Sequence, residues 1–206
     1  TDEAMLIYTY SLPSAPGDDD CSIGIEASYD AMVRELSDFT VPILGESLAQ
    51  PMRIDLTYEV TCNTDHYVSF HLITQSAENG EKQIIHAGHV FARQGSKNGL
   101  ILSLPNLLGL LSQQDALDPW LEDRQTNRVN RTVRTIVCEK LLQMYPDMID
   151  DEALADLLEY DFYPEEDFFL DISENPVFFL QPYSLFPDSE EAVLIPVLLE
   201  DILDLI

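Results

Sequence analysis

The sequence predicts an α+β fold in which an antiparallel sheet carries helices on one face, with residues 1–206 forming a single domain. Three observations lead there. From Met52 the apolar residues Met52, Ile54, Leu56, Tyr58 and Val60 alternate with polar ones, the period of a strand with one dry and one wet face. Two stretches, near 26–39 and 119–145, instead repeat their apolar residues at helical spacing. No internal repeat and no linker divides the chain into independent halves.

Taken in order, Ala4 to Leu12 reads as a first strand that ends at Pro13, followed by an exposed acidic loop over Asp18 to Asp20. Tyr29, Met32, Val33, Leu36 and Phe39 then mark an amphipathic helix. Four strands, near 52–61, 67–75, 83–93 and 100–103, are expected as an antiparallel meander. Asn79-Gly80 and Asn98-Gly99 signal its turns, because Asn and Gly tolerate the positive φ of tight hairpins. After Asp118-Pro119 a long helix is expected, with Trp120 packed at its start. Val129, Val133, Ile136 and Val137 face inward, and Arg124, Arg128, Arg131 and Arg134 form a basic outer stripe. A shorter helix begins at Asp150 or Asp151 and buries Leu154, Leu157 and Leu158. A hairpin of Phe168-Phe169-Leu170 with Val177 to Leu180, and a strand within Ala192 to Leu198, close the chain.

Composition limits the function. Hydrophobic residues make up 46% of the chain, ample for a packed core and unlike a disordered acidic tail. The formal net charge is -28, from 38 acids and 10 bases, which argues against nucleic acid and anionic membranes, since both demand clustered positive charge. The charge is unevenly placed: residues 141–206 hold 18 acids and no Lys, Arg or His. A basic partner or a salty habitat both fit this balance. Three cysteines, Cys21, Cys62 and Cys138, allow at most one disulfide, and none stands in a zinc-binding spacing. No apolar run reaches the roughly 20 residues that span a bilayer.

The C-terminal words Asp167-Phe168-Phe169-Leu170, Val177-Phe178-Phe179-Leu180-Gln181-Pro182-Tyr183 and Val193-Leu194-Ile195-Pro196 resemble a bacterial extracytoplasmic family of unknown function. That RsiV-like family includes the sensor domain of lysozyme-sensing anti-sigma factors and a domain found beside peptidoglycan deacetylases. The chain departs from its pattern at His86-Ala87-Gly88-His89, where members carry Gly-Gly-Ala-His, and near Asp188-Ser189, where a Gly normally follows. The resemblance implies an exported protein, secreted or anchored through a segment upstream of Thr1, that acts as a non-catalytic sensor or binding module for a cationic protein such as lysozyme. A cell-wall glycan-binding module and a cytoplasmic DNA-mimic inhibitor are the alternatives.

Candidate sites follow. The aromatics Phe168, Phe169, Phe178, Phe179 and Tyr183, ringed by Glu165, Glu166 and Asp167, are the candidate partner surface, because alternation must turn some of them outward. The stripe of Arg124, Arg128, Arg131 and Arg134 either pairs with the chain's own acids or holds an anionic wall polymer. His86 and His89 point to opposite faces of an extended strand, so a metal centre, a cofactor and catalytic residues are all expected to be absent. No nucleophile motif or phosphate-cradling Gly-rich loop is present.

Overall fold

A computed structural model describes residues 6–43, 48, 51–78, 81–111, 119–146 and 148–206. The expected α+β architecture is present, built on a four-stranded mixed sheet in the order β1-β2-β3-β4 and a second, antiparallel sheet in the order β5-β6-β7. The strands are β1 (Leu6–Tyr10), β2 (Met52–Asn63), β3 (Tyr67–Glu78), β4 (Glu81–Ala92), β5 (Phe168–Leu170), β6 (Pro176–Leu180) and β7 (Val193–Pro196). Helices α1 (Asp20–Glu35), α2 (Leu104–Leu107), α3 (Pro119–Met144), α4 (Asp151–Tyr160) and α5 (Leu199–Leu203) complete it.

Two expectations about the sheet are corrected. β1 joins it parallel to β2, in the register Leu6↔Met52 to Tyr10↔Leu56, so the sheet is mixed rather than wholly antiparallel. The intervening α1 supplies the crossover that a parallel pair needs. The stretch 100–103 is no fourth strand: Ile101 makes one isolated bridge to Phe91, and Gly99, at φ +76, turns the chain away. The Asn79-Gly80 turn lies outside the described residues, but β3 and β4 pair from Tyr67↔Ala92 to Glu78↔Glu81, the register of a two-residue connection.

The acids of the 18–20 loop also serve the fold. Asp19 caps α1, its Oδ1 accepting from the backbone N–H groups of Cys21 and Ser22 at 3.1 Å while the Ser22 hydroxyl donates to Oδ2 at 2.6 Å. The Ser22 hydroxyl holds the Asp19 carboxyl below its ordinary range. One face of the large sheet, through Leu56, Val68, Phe70, Leu72 and Phe91, packs on Cys21, Ile25 and Tyr29 of α1. Gly24 permits this approach, because a Cβ there would lie 2.0 Å from the Gly99 carbonyl oxygen.

The opposite face is covered by β5, which touches β2, β3 and β4, and beyond it by the helices. A Cβ on Gly88 would stand 1.7 Å from the Phe168 carbonyl oxygen, so this glycine lets the β5 backbone lie directly on β4. Ser69 on β3 is fully buried, and its Oγ accepts from the Leu170 N–H at 2.9 Å. α3 seals the far side with Val129, Val133, Ile136, Val137 and Leu141, which pack in one core with Leu154 and Leu158 of α4, Phe178 and Ile195. Each such side chain contributes about 1.5–3 kcal/mol by leaving water. Asp150 caps α4, accepting from Ala153 at 2.9 Å. Trp120 does not pack as expected: it is 85% exposed. The three cysteines are free thiols.

Gly88→Ala is therefore expected to destabilise the protein by about 3 kcal/mol or more, the upper end for forced overpacking. Ser69→Ala, which leaves the buried Leu170 N–H without its acceptor, is expected to cost about 1–3 kcal/mol. Urea unfolding midpoints of the two variants against the parent measure both.

Candidate functional site

β5 positions the site. The chain enters it through the turn Tyr163 to Asp167, where the Tyr163 carbonyl accepts from the N–H groups of Glu166 (2.9 Å) and Asp167 (2.7 Å). The Asp167 Oδ2 accepts in return from the Tyr163 N–H at 2.7 Å. Glu165 is pinned from α3 by the Asn130 side-chain amide, which donates to its Oε2 at 2.6 Å. Three consecutive carboxylates are thereby fixed beside the outer edge of β4.

They line a groove of about 590 Å³, together with Glu122 of α3, Ser103 and Asn106 of the connection after β4, and the segment His86 to His89. No Lys or Arg lines it. Burial, and then the neighbouring charges of Glu166 and Glu165, push the Asp167 carboxyl up to about 6, against a single opposing hydrogen bond from Tyr163. The Asn106 Oδ1 is buried and accepts no hydrogen bond, while its Nδ2 donates to the Ser103 hydroxyl at 2.9 Å.

Beneath the groove the histidines separate as strand geometry requires. His89 turns toward α1, its Nδ1 lying 3.1 Å from the Tyr29 hydroxyl. His86 turns the other way and meets His71 of β3, Nδ1 to Nε2 at 2.7 Å, so one imidazole N–H donates to the other's lone pair. Phe169 stacks on His71 with ring centroids 4.5 Å apart, and Phe179 lies against both imidazoles. Burial lowers the pKa of His71 and of His89, and burial with the His71 neighbour brings His86 down to about 4. Gln181 completes the edge: its Oε1 accepts from the His86 N–H at 2.8 Å, and its Nε2 donates to the His86 carbonyl at 2.9 Å. One side-chain amide thus occupies the place of a neighbouring strand. Among the described residues no three His, Cys, Asp or Glu side chains are grouped to hold a metal ion.

The expected partner surface is thus divided. Glu165, Glu166 and Asp167 do line a groove, but Phe168, Phe169, Phe178 and Phe179 are buried and form its floor and the core beneath, and Tyr183 is half-buried. The aromatics are not an exposed anchor, because the large sheet covers one side of β5-β6 and α3 with its neighbours covers the other. The exposed aromatics of this region are Tyr160 and Tyr163. The arginine stripe is also divided. Arg134 pairs with Glu159 at 3.2 Å and donates to the carbonyls of Glu159 and Phe162. Arg128 donates to the Ile206 carbonyl. Arg124 and Arg131 have no carboxylate within ion-pair distance among the described residues.

Sequence reasoning missed Glu122, Asn106, the His71–His86 pair and the bracing role of Gln181. The pair was the most accessible: the two-residue turn after Glu78 sets His71 opposite Gly88, which leaves His86 diagonal to it on the same face. No protein-family model matches this chain, and no curated protein matches it significantly in sequence. No helix among the described residues is long and apolar enough to cross a membrane.

The titrations give opposite signs. His71 and His86 bind protons less readily folded than unfolded, so their contribution to stability is lost as pH falls from the ordinary histidine value of 6.5 toward about 4. Asp167 binds its proton more readily when folded, so its ionisation costs stability as pH rises through about 6. In urea titrations His86→Gln is expected to flatten the loss of stability between pH 6.5 and 4, and Asp167→Asn to raise stability at pH 7.5 but not at pH 4.

Proposed function

We propose that this protein is a non-catalytic, extracytoplasmic sensor or binding module that receives a cationic group of a partner protein, with lysozyme as the test partner, in the groove beside β4. The observation that carries this reading is the convergence of Glu122, Glu165, Glu166 and Asp167 on one groove whose lining holds no Lys or Arg. An ammonium or guanidinium entering there would relieve the like-charge crowding that keeps Asp167 partly protonated, and would supply a donor for the Asn106 Oδ1. The net charge of -28 would speed the encounter with a basic protein. The C-terminal words that resemble RsiV-like sensor domains support the extracytoplasmic setting. Against catalysis stands the chemistry of the groove: its one hydroxyl, Ser103, accepts from Asn106 rather than facing a base.

Isothermal titration calorimetry with lysozyme tests the reading. Binding is expected at pH 7.5 and low salt, weakening with salt and weakening again as pH falls through about 6, because a cation prefers the ionised Asp167. Glu166→Gln with Asp167→Asn is expected to lower affinity by about tenfold, one charge-assisted contact's worth. Absence of heat at low salt and pH 7.5 removes lysozyme as the partner. Binding that the double variant leaves unchanged moves the interface away from this groove.

A further inference from the structure

The chain places its cations where its own acids do not reach them. On the outer face of α3, Arg124, Arg128 and Arg131 line a groove of about 1040 Å³ with Trp120, Asn127 and Leu205, and Asp123 is the one carboxylate in its lining. Among the described residues the ion pairs formed by arginine are Arg53 with Asp55 and Arg134 with Glu159, so none involves these three. With 38 acids in the chain, and Glu122, Asp123 and Glu139 on the same helix, pairing with a carboxylate was available and is not taken.

The three arginines recur at intervals of four and three residues. Their bases therefore step about 6 Å and then about 4–5 Å along the helix axis, with Arg124 and Arg131 nearly in line. The result is a track rather than a focused pocket. Arg131 extends it into an adjoining cavity of about 710 Å³ between α3 and α4. A linear polyanion fits a track, and the planar guanidinium fork matches phosphate oxygens two at a time. A phosphodiester polymer with a six-bond repeat places a charge every roughly 7 Å when extended, within reach of this spacing for long side chains.

We propose that the Arg124–Arg128–Arg131 groove binds a base-free phosphodiester polymer, of the polyol-phosphate kind. Single-stranded nucleic acid carries the same phosphates, but its binding sites interleave several aromatic platforms with the cations, and here Trp120 is the one aromatic in the lining. The net charge does not oppose the site at working salt, because the screening length of about 8 Å confines what a bound polymer senses to the groove itself. This site is separate from the acidic groove, and its test is independent of lysozyme.

Trp120 is the chain's single tryptophan, so its fluorescence reports on this groove alone. Titration with a synthetic glycerol-phosphate decamer at 0.1 and 0.3 M salt is expected to change that fluorescence saturably. Affinity should fall with salt at a log–log slope of about -2, from about three phosphates at -0.7 each. Arg124→Gln/Arg131→Gln is expected to weaken binding by about tenfold and to make the slope shallower by about one. Lys82→Gln, a cation elsewhere on the surface, should leave both unchanged, and far-ultraviolet circular dichroism checks that each variant is folded. No saturable change with the parent protein overturns the proposal, as does equal loss in the Lys82 variant. Equal or tighter binding of an oligothymidylate overturns the polyol-phosphate assignment in favour of nucleic acid, and equal binding of polyglutamate overturns the phosphodiester assignment altogether.

Discussion

The crossing of β5 over the large sheet is the contact on which the rest of the molecule depends. Gly88 has no side chain because the Phe168 carbonyl occupies the space where one would stand, and Ser69 supplies from β3 the acceptor that the Leu170 N–H would otherwise lack. These two points fix the position and height of a three-residue strand too short to order itself. The acidic turn ends where β5 begins, so the groove exists because the crossing does. Phe169 and Phe179 are pressed onto His71 and His86 by the same crossing, and Gln181, at the end of β6, reaches the exposed edge of β4 for the same reason.

Charge is organised around this frame. Carboxylates gather beside β4 where hydrogen bonds from Tyr163 and Asn130 hold them together against their mutual repulsion, and the cost appears as the raised pKa of Asp167. Arginines gather on the outer face of α3, whose inner face buries Val129, Val133 and Val137. Glu122 points to one groove while Arg124 lines the other, so α3 contributes opposite charges to the two. Both proposed activities are electrostatic, and both lie on elements whose buried sides set the core.

Much of this was legible in the sequence, and the limits have physical causes. The alternation from Met52 and the helical spacing from Val129 are local patterns imposed by one buried face, so both elements were found close to their observed bounds. Pairing between distant segments leaves no local pattern: nothing in Leu6 to Tyr10 says that its partner strand runs parallel. The short segment 100–103 carries the apolar residues of a strand, but Gly99 at positive φ redirects it. The aromatics of β5 and β6 were read as half outward because alternation permits it; layers on both sides bury them instead. Within the candidate site the acids 165–167 were identified from sequence, whereas Glu122 and Asn106, far apart in the chain, are joined to it only by tertiary packing.

Native-state hydrogen exchange at the Leu170 and His86 amides tests the dependence on β5 most directly. Leu170 donates to Ser69 and His86 to Gln181, so both amides should exchange only when β3 and β4 open with them, at the same free energy as the Phe70–His89 ladder between those strands. Exchange of Leu170 and His86 through a smaller, local opening that leaves the β3–β4 ladder protected would show that β5 is an appendage of the sheet and not its fastening.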